Sequence, residues 1–387
     1  MVGGRLHSSK LTNHREAPGE FRGATTEVGT LEIRSVDHIE MFVEDIEQAA
    51  GHLRDCYGFA LAGRGGPDTG LRGCESLLLR QRDITVLLTT ATSADHRAAE
   101  FVRLHGDGVA VIGIGVDDAQ AAFAEAVERG AVPVAPPETF WPGGSRVTFA
   151  SVMGFGDVEH RFVSRDRPDV PFAPVIDETG CGRSGGGLLR AIDHFAVCVP
   201  AGELDETVRG YQEVFGLGQT FEERIIVGSQ AMDSKVVQSA SGQVTFTILE
   251  PDTTRDPGQI DAFVESHGGA GIQHVAFLTD DITAAVRGCT ERGAAFLPTP
   301  GEYYDALTAR LGPIGVTVDV LRELNVLADR DHSGVMLQIF SRSVHPRHTL
   351  FYELIDRRGA RTFGSNNIHA LYEAIERQQA AARPGSA

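Results

Sequence analysis

An internal repeat constrains this chain more than any other feature, and the repeat is nested. "SVDHIEMFVEDIEQAAGHLRDCYGFALAG" from Ser35 matches "AIDHFAVCVPAGELDETVRGYQEVFGLGQ" from Ala191: an apolar strand opening on Asp-His, a helix-patterned stretch, then an aromatic-Gly turn, with His38 in the place of His194. A second pair follows, "GDGVAVIGIGVDDAQAAFAEAVERGAVPVAPPE" from Gly106 and "GAGIQHVAFLTDDITAAVRGCTERGAAFLPTPGE" from Gly269. In each, a strand runs into Asp-Asp, an alanine-rich amphipathic helix and Glu-Arg-Gly, where the Gly marks a helix C-terminus. "ESLLLRQRDITVLLTT" and "SKVVQSASGQVTFTILEP" alternate apolar and polar residues about a turn, as hairpins do. A unit of this size cannot bury its own apolar face, so copies must pack on one another. Four units, two per half, therefore predict two similar α+β domains.

The boundaries follow from where the repeat stops. Residues 1–34 are polar and aperiodic and read as an N-terminal arm, residues 35–165 as the first domain, and 166–190 as a linker mixing Pro, Gly and charge in "SRDRPDVPFAPVIDETGCGRSGGG". The second domain runs over 191–380. Near its end "SNNIHALYEAIERQQ" places Ile368, Leu371, Tyr372 and Ile375 on one face behind Ser/Asn caps, which predicts a helix seeking a partner, with Glu373 and Glu376 on its polar side. The closing "AARPGSA" reads as a loose tail.

Charge and cysteine content narrow the function. A formal net charge of -18 repels phosphates, and Arg342, His345, Arg347 and His348 are too few to reverse that field, so no nucleic-acid partner is expected. Cys56, Cys74, Cys181, Cys198 and Cys289 show no CxxC spacing and read as reduced structural thiols. With no apolar run approaching the roughly 18 residues of a membrane span and no leader pattern, a soluble cytoplasmic protein is expected, with no membrane partner.

Chemistry enters where the two halves differ. His274 in "GIQHVAF" has Val111 as its counterpart in "GVAVIGI". His194 and His274 each lie in the first strand of a unit, so pseudo-symmetry would bring them side by side, flanked by apolar residues. Glu353, between Tyr352 and Leu354 in "HTLFYELIDRRG", is a carboxylate in an apolar strand, where an unpaired charge is costly. Two imidazoles and one carboxylate on one face are the set that holds mononuclear iron for oxygen chemistry. One such histidine alone reads as a hydrogen-bonded core residue; two at equivalent positions beside a buried glutamate read as ligands. His38 serves as the internal control and reads as structural, since its half lacks the second imidazole and "DVEHRFVSR" aligns poorly with the carboxylate strand. His267, His332, His345 and His348 lie in polar or turn-like sequence and are expected to be solvated.

These motifs, with "FLPTPGEYYDAL", "VLADRDHSGVMLQIFSRSVHPRHTLFYELIDRRG" and "FGSNNIHALYEAIE", resemble the 4-hydroxyphenylpyruvate dioxygenase family of the vicinal oxygen chelate superfamily, which also includes 4-hydroxymandelate synthase. The likeness covers nearly the whole chain from Ser35, weakly in the first half and strongly in the second. It implies an α+β fold of paired βαβββ units forming open half-barrels, and Fe(2+) on His194, His274 and Glu353. It also implies 4-hydroxyphenylpyruvate and O2 as partners, with a homodimer left open. Ser234, Gln259 and Gln338 would contact substrate, Phe363 would wall its ring, and the last helix would be a lid; Gln273 reads as ordinary strand polarity, since it alternates away from His274. No separate protein acid or base is implied.

In this family decarboxylation is followed either by attack on the aromatic ring, giving homogentisate, or by hydroxylation of the benzylic carbon, giving 4-hydroxymandelate. The chain departs from the dioxygenase pattern at Thr247 and Leu249 of "TILEP", where Pro and Asn are usual, and at Ile368, where a lid Phe is usual. Those departures resemble the synthase and imply a place in antibiotic biosynthesis. Homogentisate formation is the alternative, and an extradiol ring-cleaving enzyme or a metal-free ligand-sequestering protein of the same fold are the outlying ones.

Overall fold

The computed structural model describes residues 31–167, 170–172, 175–178, 186–305, 307–364, 367 and 370. The first half contributes strands β1 (Ser35–Phe42), β2 (Ala60–Gly65), β3 (Cys74–Gln81), β4 (Ile84–Ala91), β5 (Gly108–Gly115), β6 (Pro133–Phe140), β7 (Val147–Phe155), β8 (Val158–Arg165) and β9 (Asp177–Glu178). The second contributes β10 (Leu189–Cys198), β11 (Gly218–Val227), β12 (Gln230–Gln238), β13 (Thr245–Pro251), β14 (Gly271–Thr279), β15 (Leu327–Arg330), β16 (Val335–Phe340) and β17 (Phe351–Arg358). Their sheet orders, β6-β7-β8-β5-β1-β4-β3-β2-β9 and β15-β16-β17-β14-β10-β13-β12-β11, are the same order apart from β9. The repeat in the sequence is thus a repeat in space.

Local chemistry explains the elements. Helix α1 (Ile46–Tyr57) starts where Asp45 accepts the Gln48 N–H and stops at Gly58, whose φ of 80° suits a residue without a side chain. After α2 (Arg97–His105), α3 (Ala119–Glu128) is capped by Asp118. In the second half come α4 (Leu204–Glu213), α5 (Gln259–His267) and α6 (Ile282–Glu291), the last capped by Asp281. The second Asp of each Asp-Asp pair is the cap, and the Gly of each Glu-Arg-Gly follows the helix with positive φ. Both expected hairpins form, β3 with β4 and β12 with β13.

Three features depart from the sequence reading. Helices α2 and α5 were not expected; each is a short amphipathic helix whose last residue is a His followed by Gly. Between α6 and β15 the second half inserts short helices at Gly301–Asp305, Leu307–Leu311 and Val318–Leu324, which the first half lacks. The segment read as a linker is packed in its described residues: Phe172 and Ile176 are buried, β9 pairs with β2, and Arg80 holds Glu178 at 2.7 Å.

The main apolar core runs through both halves. Tyr57 meets Tyr352 with ring centroids 5.3 Å apart, Phe59 meets Phe277 at 5.9 Å, and His160 Nε2 lies 2.8 Å from the Tyr211 hydroxyl. His105 and His267, the last residues of α2 and α5, stack at 4.4 Å with nearly parallel rings. That packing explains why His267 and His345 are buried rather than solvated, whereas His332 and His348 are exposed. No helix among the described residues is long and apolar enough to cross a membrane. Of the arm read over 1–34, residues 31–34 are described and Leu31 and Ile33 are buried in the core; residues 1–30, Ile368 and all of the predicted last helix except Asn367 and Ala370 lie outside the described residues.

Candidate metal centre

Register, rather than sequence proximity, builds the site. On adjacent strands β10, β14 and β17, His194 is opposite Ala276, Ala196 is opposite His274, and Ala276 is opposite Glu353, so the three side chains emerge on one face. The Nε2 atoms of His194 and His274 lie 3.4 and 3.3 Å from the same Glu353 oxygen. Among the described residues this is the only group of three or more His, Cys, Asp or Glu side chains close enough to share a metal ion. All three are buried.

Their surroundings differ in a way that matters. His194 Nδ1 lies 2.8 Å from Asp193 Oδ2, so its proton on Nδ1 is donated to that carboxylate and Nε2 is left facing Glu353. Asp193 is in turn gripped by Arg357, whose Nε and Nη2 donate at 2.7 and 2.8 Å. The same guanidinium donates to the Thr362 carbonyl and lies 5.0 Å over the Phe363 ring, which meets His194 edge-on. His274 instead sits against Phe351 and Phe340, and its Nδ1 has no hydrogen-bond partner among the described residues.

The electrostatics suit a cation. Burial alone would push His194 down, but Glu353 and Asp193 outweigh it and carry its pKa up to about 9. Burial would raise Glu353, but the two imidazoles hold it below its usual range, while burial pushes His274 down. Near pH 7 the metal-free set therefore keeps one proton in a closed pocket. Among the described residues Glu353 Oε1 has no hydrogen-bond partner, an expensive state for a buried carboxylate oxygen. A divalent ion replaces the proton and satisfies that oxygen, so the donor set fits iron.

The adjoining cavity measures about 30 Å³ and is walled by Thr247, Leu249, Gln338 and Phe363, as expected, and by Ala196, Phe340 and Ile355, which the sequence reading missed. Thr247 Oγ1 and Gln338 Oε1 are buried without partners among the described residues. Ser234 and Gln259 are buried but do not line this cavity: Ser234 stands on β12, two strands from β10, and Gln259 opens α5. Gln273 is buried and likewise absent from the wall. The Asp193–Arg357 pair was also missed, although the shared Asp-His of both halves was a signal for it.

The first half shows the same frame with a different occupant. Equivalent pairings place Gly113 opposite both His38 and Arg161, and Val111 opposite Glu40. Arg161 thus stands where the other half has Glu353, and Glu40 where it has Ala196. The guanidinium donates to Glu40 at 3.0 Å and reaches His38 Nε2 at 3.4 Å. Gly113 is needed there, because a Cβ would fall 2.3 Å from the His38 ring. The outer pair persists: His38 bonds Asp37, Arg165 clamps Asp37, and Arg165 lies over Phe172 as Arg357 lies over Phe363. A fixed positive charge occupies the position of a metal, so His38 is structural.

Comparison with known proteins agrees. Residues 191–339 match the Glyoxalase/Bleomycin resistance protein/Dioxygenase superfamily, and residues 70–170 match the N-terminal model of hydroxyphenylpyruvate dioxygenase. A probable 4-hydroxyphenylpyruvate dioxygenase 2 of Aspergillus fumigatus is 34% identical over 383 residues, covering 89% of this chain and 93% of that protein. The chain belongs to the 4-hydroxyphenylpyruvate dioxygenase family. A 4-hydroxyphenylpyruvate dioxygenase of Dictyostelium discoideum is 31% identical over 357 residues, covering 89% of this chain and 97% of that one. A triple mutant of 4-hydroxymandelate synthase from Streptomyces coelicolor superposes with a TM-score of 0.84 at 42% identity, covering 90% of this chain and 99% of that one. The fold is that of the vicinal oxygen chelate superfamily, and the enzyme is a non-heme iron dioxygenase of this family with its His-His-Glu set in the second half.

Proposed function

We propose that the enzyme is a 4-hydroxymandelate synthase, converting 4-hydroxyphenylpyruvate and O2 to 4-hydroxymandelate and CO2. The carrying observation is the wall beside the three ligands, where Thr247 and Leu249 bring a small hydroxyl and a branched aliphatic to the cavity in the places where the dioxygenase pattern has Pro and Asn. Such a wall removes the Asn amide from that strand and leaves Gln338 as the amide on the wall, so the aryl group is held differently and the benzylic carbon rather than the ring approaches the reacting position. A displacement of about 1 Å changes a rate by about a hundredfold. The likeness to the Streptomyces coelicolor synthase supports the same reading.

His194, His274 and Glu353 would hold the metal as Fe(II), leaving open positions for the keto acid and O2. The bound iron supplies the activation of O2 that decarboxylation and hydroxylation require. Asp193 and Arg357 fix the His194 tautomer, Thr247 and Gln338 offer unpartnered polar atoms to the substrate, and Leu249, Phe340 and Phe363 exclude water. A cavity of about 30 Å³ admits only water-sized ligands, so an arylpyruvate enters when its wall opens. Phe363, packed edge-on to His194, is the large side chain that must turn aside.

The test is product analysis: anaerobic purification, addition of Fe(II) and 4-hydroxyphenylpyruvate, exposure to O2, and chromatography. The expected main product is 4-hydroxymandelate. Homogentisate, the outcome favoured by the names of the curated relatives, would overturn the choice of product; absence of O2 uptake would overturn the catalytic reading, and full activity in His274→Ala would overturn the site.

A further inference from the structure

On the opposite side of β17 from the metal centre, a separate cleft of about 800 Å³ lies between α1 of the first half and the segment leading into β17 of the second. Its apolar surface comes from Met41, Ile46, Leu53 and the Tyr352 ring. Its charged lining consists of Glu44, Asp45 and Asp107, with no Lys or Arg among the lining residues. Two imidazoles complete it. Burial pushes His52 down to about 4, with His345 adding to the effect, so His52 is neutral near pH 7.

His345 carries the second, independent sign of a ligand. It is 7% exposed, it lines the cleft, and its Nε2 is buried without a hydrogen-bond partner among the described residues. Nδ1 faces Asp107 Oδ2 at 3.7 Å, so the carboxylate favours the tautomer with N–H on Nδ1, in which Nε2 is an acceptor. A buried acceptor without a donor is costly. The Asp107 and Asp45 carboxylates are not free to turn away from the cleft, because Asp107 Oδ1 accepts the Glu44 N–H at 2.8 Å and Asp45 caps α1. The cleft thus carries three carboxylates and no cationic side chain to balance them, and the field of the whole chain, at a formal net charge of -18, is of the same sign.

We propose that this cleft is a second ligand site, taking a small primary ammonium ion on an apolar body. The N–H donors face His345 Nε2 and Asp107, and the body lies on Met41, Leu53 and the Tyr352 ring, with a cation–π contribution from that ring. The occupant would be distinct from the anionic keto acid expected at the metal centre. Tyr352 separates the two sites by one residue, since Glu353 is its neighbour on the strand.

The probe is 2-phenylethylammonium, titrated calorimetrically into the full chain beside two isosteres, 2-phenylethanol and phenylacetate. Saturable binding of the amine is expected, at least about tenfold tighter than either isostere. Asp107→Asn keeps an acceptor for the Glu44 N–H but removes the charge, and should weaken the amine at least about tenfold, while Glu353→Gln leaves its affinity unchanged. Should Asp107→Asn fail to fold, Glu44→Gln combined with His345→Phe makes the same test. Absence of amine binding, equal binding of phenylacetate, indifference to the cleft variants, or loss of binding in Glu353→Gln would each overturn the proposal.

Discussion

Asp193→Asn separates metal chemistry from scaffold, because the fold contains its own control in Asp37. The substitution keeps the side-chain shape but turns an amide toward a guanidinium that now makes hydrogen bonds of 2.7 and 2.8 Å to a carboxylate. Two effects follow. Breaking a largely buried ion pair costs stability, at the lower end of roughly 3–5 kcal/mol because Arg357 keeps some exposure. Loosening the orientation of a metal-ligating imidazole weakens metal binding about 10- to 100-fold, or roughly 1.4–2.7 kcal/mol. Asp37→Asn breaks the equivalent clamp, in which Arg165 donates at 2.8 and 2.9 Å, but His38 faces Arg161 rather than a metal. It should incur the first cost and not the second. Urea unfolding of both variants and anaerobic competition for Fe(II) against a chromophoric chelator measure the two terms. Unchanged Fe(II) affinity in Asp193→Asn, or an equal loss in Asp37→Asn, would refute the reasoning.

Three further outcomes are expected. His160 is buried against Tyr211, and burial lowers its pKa from 6.5 to about 4; between those values the unfolded chain binds a proton the folded chain refuses, so stability falls as pH drops from 6.5 toward 4. The loss is about 2 kcal/mol between pH 7.5 and 5; urea midpoints at both should show it in the native chain and a smaller loss in His160→Gln, and equal losses would argue against this assignment. Arg161→Met strips Glu40 of its counter-charge and should cost about 3–5 kcal/mol, with Glu40→Gln in the same chain recovering part of it; no recovery would mean the two do not act as a pair. Finally, Glu40→Ala, Val111→His and Arg161→Glu together restore the second half's donor set around His38, and elemental analysis should find a second equivalent of iron or zinc; a stable variant still binding one would show that register alone does not make the site.

How much of this was legible follows from range. His194 and His274 could be found because the repeat aligns them, and Glu353 because a carboxylate between Tyr352 and Leu354 has no local partner. Glu40 and Arg161 carry the same kind of signal, each a charge in an apolar strand, but they read as a pair only once β1, β5 and β8 are placed side by side. His267 and His345 were misread because polar neighbours in sequence suggested solvent, whereas their burial comes from the packing of one half on the other. Ser234 fell outside the cavity wall because a strand's inward face extends well beyond the few residues that reach the ligands, and Gln259 because it begins a helix rather than lying on the sheet. Helix α5 was missed because its cap is Gly258, which offers no side chain to recognise.

The stacked rings of His105 and His267 show how the two halves are related in space. These residues are equivalent by the repeat, each closing the helix that precedes the second unit, and they touch each other. Contact between like positions is the signature of an isologous interface, the self-complementary patch of a two-fold dimer. One polypeptide here presents the seam of an assembly of two, with the three metal ligands on one side of it and Arg161 in the equivalent place on the other.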